Sequence, residues 1–353
     1  MVGFDMANFL QDVFAPESGE RITFMIDLPH GTFQDNREWR CRRKMASRWH
    51  RTVENLGSKW NMKVNPLYFY PATGHDNADL PEADHNLRYI IESSTIIISM
   101  PEFSATAPLY EFSRRITGLR IASMPGVAPF MEETGLAADY SLIEKRCRYL
   151  VPIFKRAVGA EVLFSSGHSC YFDLSVNEPY GEDGILHPDR GGTEYSCCNL
   201  PAGEVYVVPN EKADSLTSGE LPFVMGNRLG VLRVVSNRIV EVVGKGRRID
   251  TFRNKILSDP GWQNIAEFAI GINDRATVTG NVLQDEKAGF HWAFGRSDHL
   301  GGITGTEHFN SPKNVVHHDI VYARGNPVSC SSLDMIFPDH TKTQLITDGS
   351  LVE

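Results

Sequence analysis

At 353 residues, with 41% hydrophobic and 22% charged residues, the chain has the composition of a soluble globular protein, long enough for two domains or one large one. A net charge of −9 excludes a general nucleic-acid surface, which needs clustered Lys and Arg. No apolar run reaches the roughly eighteen residues of a membrane span, and Asp5, Asn8, Gln11 and Asp12 interrupt any signal core, so a cytoplasmic setting is expected.

Residues 1 to 18 read as an amphipathic start, with Phe4, Phe9, Leu10, Val13 and Phe14 on one helical face. Ile22 to Leu28 is an apolar run entering the Pro29-His30-Gly31 turn, which suits a strand. A polar helix over Asp35 to Leu56 carries the basic run Arg37 to Arg51, read as a solvated helix face rather than a polyanion site. Strands follow at Lys63 to Tyr70, Ser94 to Met100 and Leu119 to Ser123, with a loop over Pro71 to Asp84 and a helix end at Leu87 to Ile91. This alternation predicts an open, mostly parallel sheet with crossover helices. Neither GxGxxG nor GxxxxGK[ST] occurs, so nothing in this half marks a nucleotide site.

A helix over Tyr140 to Val158 leads to a change of texture, and the domain boundary is expected near residue 158, giving domains 1–158 and 159–353. The second half shows short strands at Glu161 to Ser165, Tyr171 to Val176, Glu204 to Pro209, Leu229 to Ser236 and Arg238 to Val243. Helices are predicted through Leu257 and over Gly261 to Phe268, so this half reads as a mixed α+β domain. The six cysteines show no zinc-finger spacing and no CxxC, and Cys170 has no base partner in sequence that would make it a nucleophile.

Acids and imidazoles gather between Ala266 and Asp319. Glu286 and His291 lie five residues apart, about 500° on a helix, so they converge only on a strand or turn. In a strand, His317 and Asp319 share one face and His318 takes the other. Carboxylate with imidazole is the donor mix of zinc, cobalt, manganese or ferrous iron sites. Glu204, after the Pro201-Ala202-Gly203 turn, is either a turn cap or a ligand. Glu267 follows the helix-like Trp262 to Ala266, and Asp285-Glu286-Lys287, taken alone, reads as a solvated turn.

Asn199 to Pro209 (NLPAGEVYVVP), Ala266 to Glu286 (AEFAIGINDRATVTGNVLQDE), His291 to Gly295 (HWAFG) and His317 to Ile320 (HHDI) together resemble the thermophilic aminopeptidase family of metallopeptidases. The resemblance covers most of residues 190 to 325 and implies a homodimeric hydrolase holding two divalent ions, zinc, cobalt or manganese. Glu204, Glu267, His291, His317 and Asp319 fall where that family places metal ligands, and Glu286 where it has its general base. Metal-activated water would attack an amide or peptide bond of a peptide or small-molecule substrate, in a cleft between the domains. The chain departs from the family where a tyrosine is expected, carrying Asp298 followed by His299. The second half is also similar to the 2,5-dihydroxypyridine dioxygenases, which implies one ferrous iron on His291, His317 and Asp319 as the alternative.

Overall fold

The computed structural model describes residues 4–81, 84–190 and 196–352. The first three residues of the amphipathic start, two residues of the predicted 71–84 loop and part of the family-like 190–325 stretch lie outside the described residues. The chain divides into two compact units. The first takes residues up to 144 with 182–202 and 274–277, and the second takes 145–181, 203–273 and the residues from 278 on. No described helix is long and apolar enough to cross a membrane.

The first unit is built on a parallel sheet. Arg21–Leu28 pairs with Lys63–Val64, Tyr68–Pro71 and Ile96–Ser99, and the sheet continues through Arg120–Ser123 to Cys197–Asn199. The six residues Ile22 to Asp27 and all of Ile96–Ser99 are buried, as expected for strands covered on both faces. Helices Arg37–Trp60, His85–Glu92 and Thr106–Arg115 are the covering elements of this unit. Leu87, Ile91 and Leu109 pack with Met25, Ile97 and Ile121 in one apolar cluster. Asn36 starts the long helix by accepting from the Trp39 amide at 2.7 Å, and Asn61 ends it at φ 52°.

The second unit holds two antiparallel sheets, so the chain is a mixed α/β protein with parallel and antiparallel sheets. The larger sheet runs from Arg238–Val243 through Arg228–Val235, Ser218–Met225, Ser169–Asp173, Gly159–Phe164 and Cys330–Ile336 to the C-terminal strands. In the smaller, His317–Val321, Phe290–Gly295, Ile265–Gly271 and Glu204–Val207 pair in that order. Phe164 and Phe172 of the larger sheet meet Phe268 and Phe290 of the smaller, with ring centroids 5.0 to 6.2 Å apart. Each such buried ring contributes about 1.5–3 kcal/mol of hydrophobic stabilisation.

One predicted element is wrong in a way that matters for the site. The helix expected over Gly261 to Phe268 is a single 3-10 turn, Pro260–Gln263, followed by the strand Ile265–Gly271. All seven residues of that strand are buried, and a continuous apolar run carries no period that separates a central strand from a buried helix.

Candidate metal centre

Strand alternation and register bring the acids and imidazoles to one face of the smaller sheet. Phe268 and Ile270 point to the aromatic core, so Glu267 and Ala269 point away from it. Across the ladder Ala269 opposes His291, Glu267 opposes Ala293, and Ala293 in turn opposes Asp319. On the far side Glu204 opposes Gly271. Glu204, Glu267, His291, His317 and Asp319 therefore share a face, whereas His318 lies on the other, its ring 5.2 Å from that of Phe294.

Glu286 and Lys287 reach the same place from a single 3-10 turn, Glu286–Ala288. That turn is held over Gly271, whose amide donates to the Gly289 carbonyl at 2.9 Å. A Cβ at Gly271 would lie 2.2 Å from the Glu286 carbonyl oxygen, so only glycine lets the turn approach this closely. Asp285 is used locally, accepting from the Thr279 and Gly280 amides at 2.7 and 2.8 Å.

Two groups of donor atoms converge. Glu204, Glu267 and His291 form one, and Glu267, His317 and Asp319 the other, so Glu267 belongs to both. His317 Nε2 lies 2.9 Å from Glu267 Oε2 and 3.7 Å from Asp319 Oδ1. His291 Nε2 lies 3.2 Å from Glu204 Oε2 and 3.8 Å from Glu267 Oε1. His291, His317 and Asp319 by themselves are not a converging set. His317 Nδ1 donates to the Arg296 carbonyl at 2.7 Å, and His291 Nδ1 lies 3.3 Å from the Gly289 carbonyl. A carbonyl can only accept, so Nδ1 carries the proton in each ring and Nε2 is turned toward carboxylate oxygens.

That arrangement calls for a cation between nitrogen and oxygen. His291 Nε2 and Glu204 Oε2 are both buried without a hydrogen-bond partner. Burial opposes charging of His291 and His317, but the facing carboxylates outweigh it and hold both well above the usual imidazole range. Burial likewise pushes the carboxyls of Glu204 and Glu267 up, yet Lys287 and His291 for the first, and His291 and His317 for the second, bring both down to about 2. The field that retains protons here is one that retains a metal ion, so these residues fit a divalent cation.

Lys287 is the residue that reading the sequence missed. Its side chain is fully buried, with Nζ 2.5 Å from Glu204 Oε1 and 3.0 Å from Glu286 Oε1. A lysine inside an Asp-Glu-Lys run carries the composition of a solvated turn, and nothing local marks it as internal. Burial, outweighing Lys287, pushes the Glu286 carboxyl up to about 8. Glu211 was missed as well. It accepts from Ser297 Oγ and Thr304 Oγ1, each at 2.7 Å, and from Asn264 Nδ2 at 2.6 Å, tying down the segment that follows the Phe290–Gly295 strand.

Asp298, at the position of the family tyrosine, is paired with Arg296 Nε at 2.5 Å. Burial pushes its carboxyl up, but His299 and Arg296 outweigh that and hold it well below the usual range. It is therefore ionised at neutral pH and cannot donate a hydrogen bond to an oxyanion. His299 packs edge-on against His317 at 5.0 Å between ring centroids, and it belongs to neither donor group.

No family model matches the chain, and no curated protein matches it. Among solved structures it is similar to the 2,5-dihydroxypyridine dioxygenase of Pseudomonas putida KT2440, with a TM-score of 0.67, 16% identity, and coverage of 98% of this chain and 96% of that one. At this identity the likeness shows the fold. It corrects the expectation of an aminopeptidase-type hydrolase with Glu286 as its base, since this full-length likeness is to a dioxygenase and favours the alternative reading over the hydrolase. Two features of the site run the same way. The tyrosine position holds an anion, and an ammonium group occupies Glu204, one of the carboxylates a two-ion hydrolase would need.

Proposed function

We propose that the protein is a metal-dependent dioxygenase that binds one ferrous ion at Glu267, His317 and Asp319 and inserts oxygen into a small hydroxylated aromatic ring. The observation that carries this reading is the convergence of those three donors, with Nε2 of His317 turned toward both carboxylates. The donor set differs from the common two-histidine, one-carboxylate arrangement, because this group has one imidazole and two carboxylates, and His291 Nε2 lies 3.8 Å from the other oxygen of Glu267. The similarity to a dioxygenase supports the reaction class by analogy of fold.

Charge favours one ion over two. Glu204, Glu267 and Asp319 bring three negative charges and Lys287 returns one positive, which leaves the two that a single divalent ion carries. Ferrous iron bound by these oxygen and imidazole donors would supply the one-electron chemistry that lets dioxygen react with a closed-shell ring. The protein's own groups would bind, orient and move protons. Arg296 fixes the His317 tautomer through its carbonyl, and Lys287 pairs with Glu204 Oε1 and would compete with an ion for that oxygen. Glu286, pushed up to about 8, can hold or release a proton near neutral pH, as ionisation of a ring hydroxyl requires.

The test is oxygen uptake by protein loaded with Fe(II) under anaerobic conditions and then given 2,5-dihydroxypyridine. Uptake of one O2 per ring lost, abolished by omitting iron, is the expected outcome. Iron-loaded protein that consumes no oxygen with this compound, or with other dihydroxypyridines and catechols, would contradict the proposal.

A further inference from the structure

We infer that the second unit carries another small-molecule site, for an aromatic carboxylate or similar aromatic anion, on the face of the His317–Val321 strand opposite the metal centre. A cavity of about 660 Å³ opens there, a volume that accommodates a one- or two-ring ligand. Its floor is aromatic. Phe294 is flanked by Trp262 at 5.4 Å and Phe252 at 5.9 Å between ring centroids, and His318 lies against its other side. Phe294 and Trp262 are 1% and 7% exposed and back the cavity wall, while the more exposed Phe252 and His318 present ring surface to the cavity.

The rim is cationic. Arg247, Arg248 and Lys255 line the cavity from one helix, Arg247–Ser258, and none of them makes an ion pair among the described residues. Asp250, the acid on the first turn of that helix, is taken by Arg253 at 2.5 Å. Lys255 Nζ stands 3.9 Å above the Trp262 ring, which marks the cavity mouth as a place where cation and π-face already meet. The first turn of the helix opens onto the same cavity with no side-chain cap at Gly246, so its partial positive end adds to the rim.

An apolar recess below three uncompensated cations selects a molecule with a flat hydrophobic body and an anionic end. A bare phosphate would leave the aromatic floor uncovered. The inference does not depend on the dioxygenase reading, because no residue of the cavity is a proposed metal ligand.

Isothermal titration of the metal-loaded protein with 2-naphthoate tests it. One naphthoate per chain is expected, with binding about tenfold or more weaker for uncharged 2-naphthamide and for the doubly substituted Arg248→Glu/Lys255→Glu protein. Both positions are exposed, so this variant keeps the fold, as circular dichroism checks. Wild-type protein that binds no naphthoate, or a double variant that binds it equally well, overturns the inference. So does binding lost in His317→Ala but kept in the double variant, which would put the molecule at the metal centre. Sedimentation velocity covers the remaining occupant: self-association of the wild type that the double variant abolishes would assign the cavity to a second copy and also overturn it.

Discussion

His317→Ala is expected to leave the protein folded but unable to retain its metal, with affinity for Fe(II) reduced by at least about 100-fold. The floor on that figure comes from outer partners of metal-bound histidines, whose loss alone costs about 10- to 100-fold. Removing the imidazole takes away more than one contact. His317 Nε2 is the nitrogen nearest Glu267 Oε2, at 2.9 Å, and it also faces Asp319. Without it the buried Glu267 and the half-buried Asp319 carboxylates confront each other with no base between them. His318→Ala supplies the control, since the alternation of the strand turns that ring toward Phe294 on the other face. Metal content should fall in the first variant and hold in the second. Equal metal content in both would show that the ion, if one binds, sits elsewhere.

The second large effect is expected at Lys287. Lys287→Met removes an internal ammonium and leaves the buried carboxyl of Glu204 and the half-buried one of Glu286 without it. Breaking a buried pair from one side destabilises by about 3–5 kcal/mol, because a charge is left without compensation. In a chain of this size that is a drop on the order of ten degrees in Tm. The substitution should also change metal stoichiometry. With its ammonium gone, Glu204 becomes available beside Glu267 and His291, and a second divalent ion can take the vacated charge. The expected pattern is a low melting temperature in chelator and a marked recovery when divalent metal is supplied in excess. A variant that melts like the wild type in chelator would mean that Lys287 is not the internal counter-charge its position implies.

Some of this site is legible in the sequence and some is not, for definite reasons. Period-two alternation is enough to put His317 and Asp319 on one face and His318 on the other, and the strand His317–Val321 has that geometry. The parallel sheet of the first unit follows from apolar runs such as Thr95 to Ile98 recurring between polar helices. The placement of Glu267 could not be read, because a seven-residue run buried on both faces has no period to reveal a strand. The strand Ser218–Met225 escaped as well, interrupted by Gly219 and Pro222, residues that ordinarily argue against a strand interior. Register is the deeper gap. That Glu267 lies one strand across from Ala293 and two from Asp319 is a property of paired strands, and no single strand contains it. Lys287 shows the same limit in another form. Its burial depends on Gly271 admitting the Glu286–Ala288 turn, a contact between segments that look unrelated along the chain. The hydrolase expectation rested on motifs alone, and motifs record which donors are present without recording which of them a neighbouring ammonium already occupies.

The most direct measurement of the central claim is metal identity and stoichiometry, by elemental mass spectrometry on protein purified without oxygen or chelator and supplied with Fe(II). One iron per chain is the expected result, matching the one group in which Glu267, His317 and Asp319 converge and the single divalent charge left after Lys287 is counted. Two ions per chain, or zinc retained in preference to the iron supplied, would contradict it.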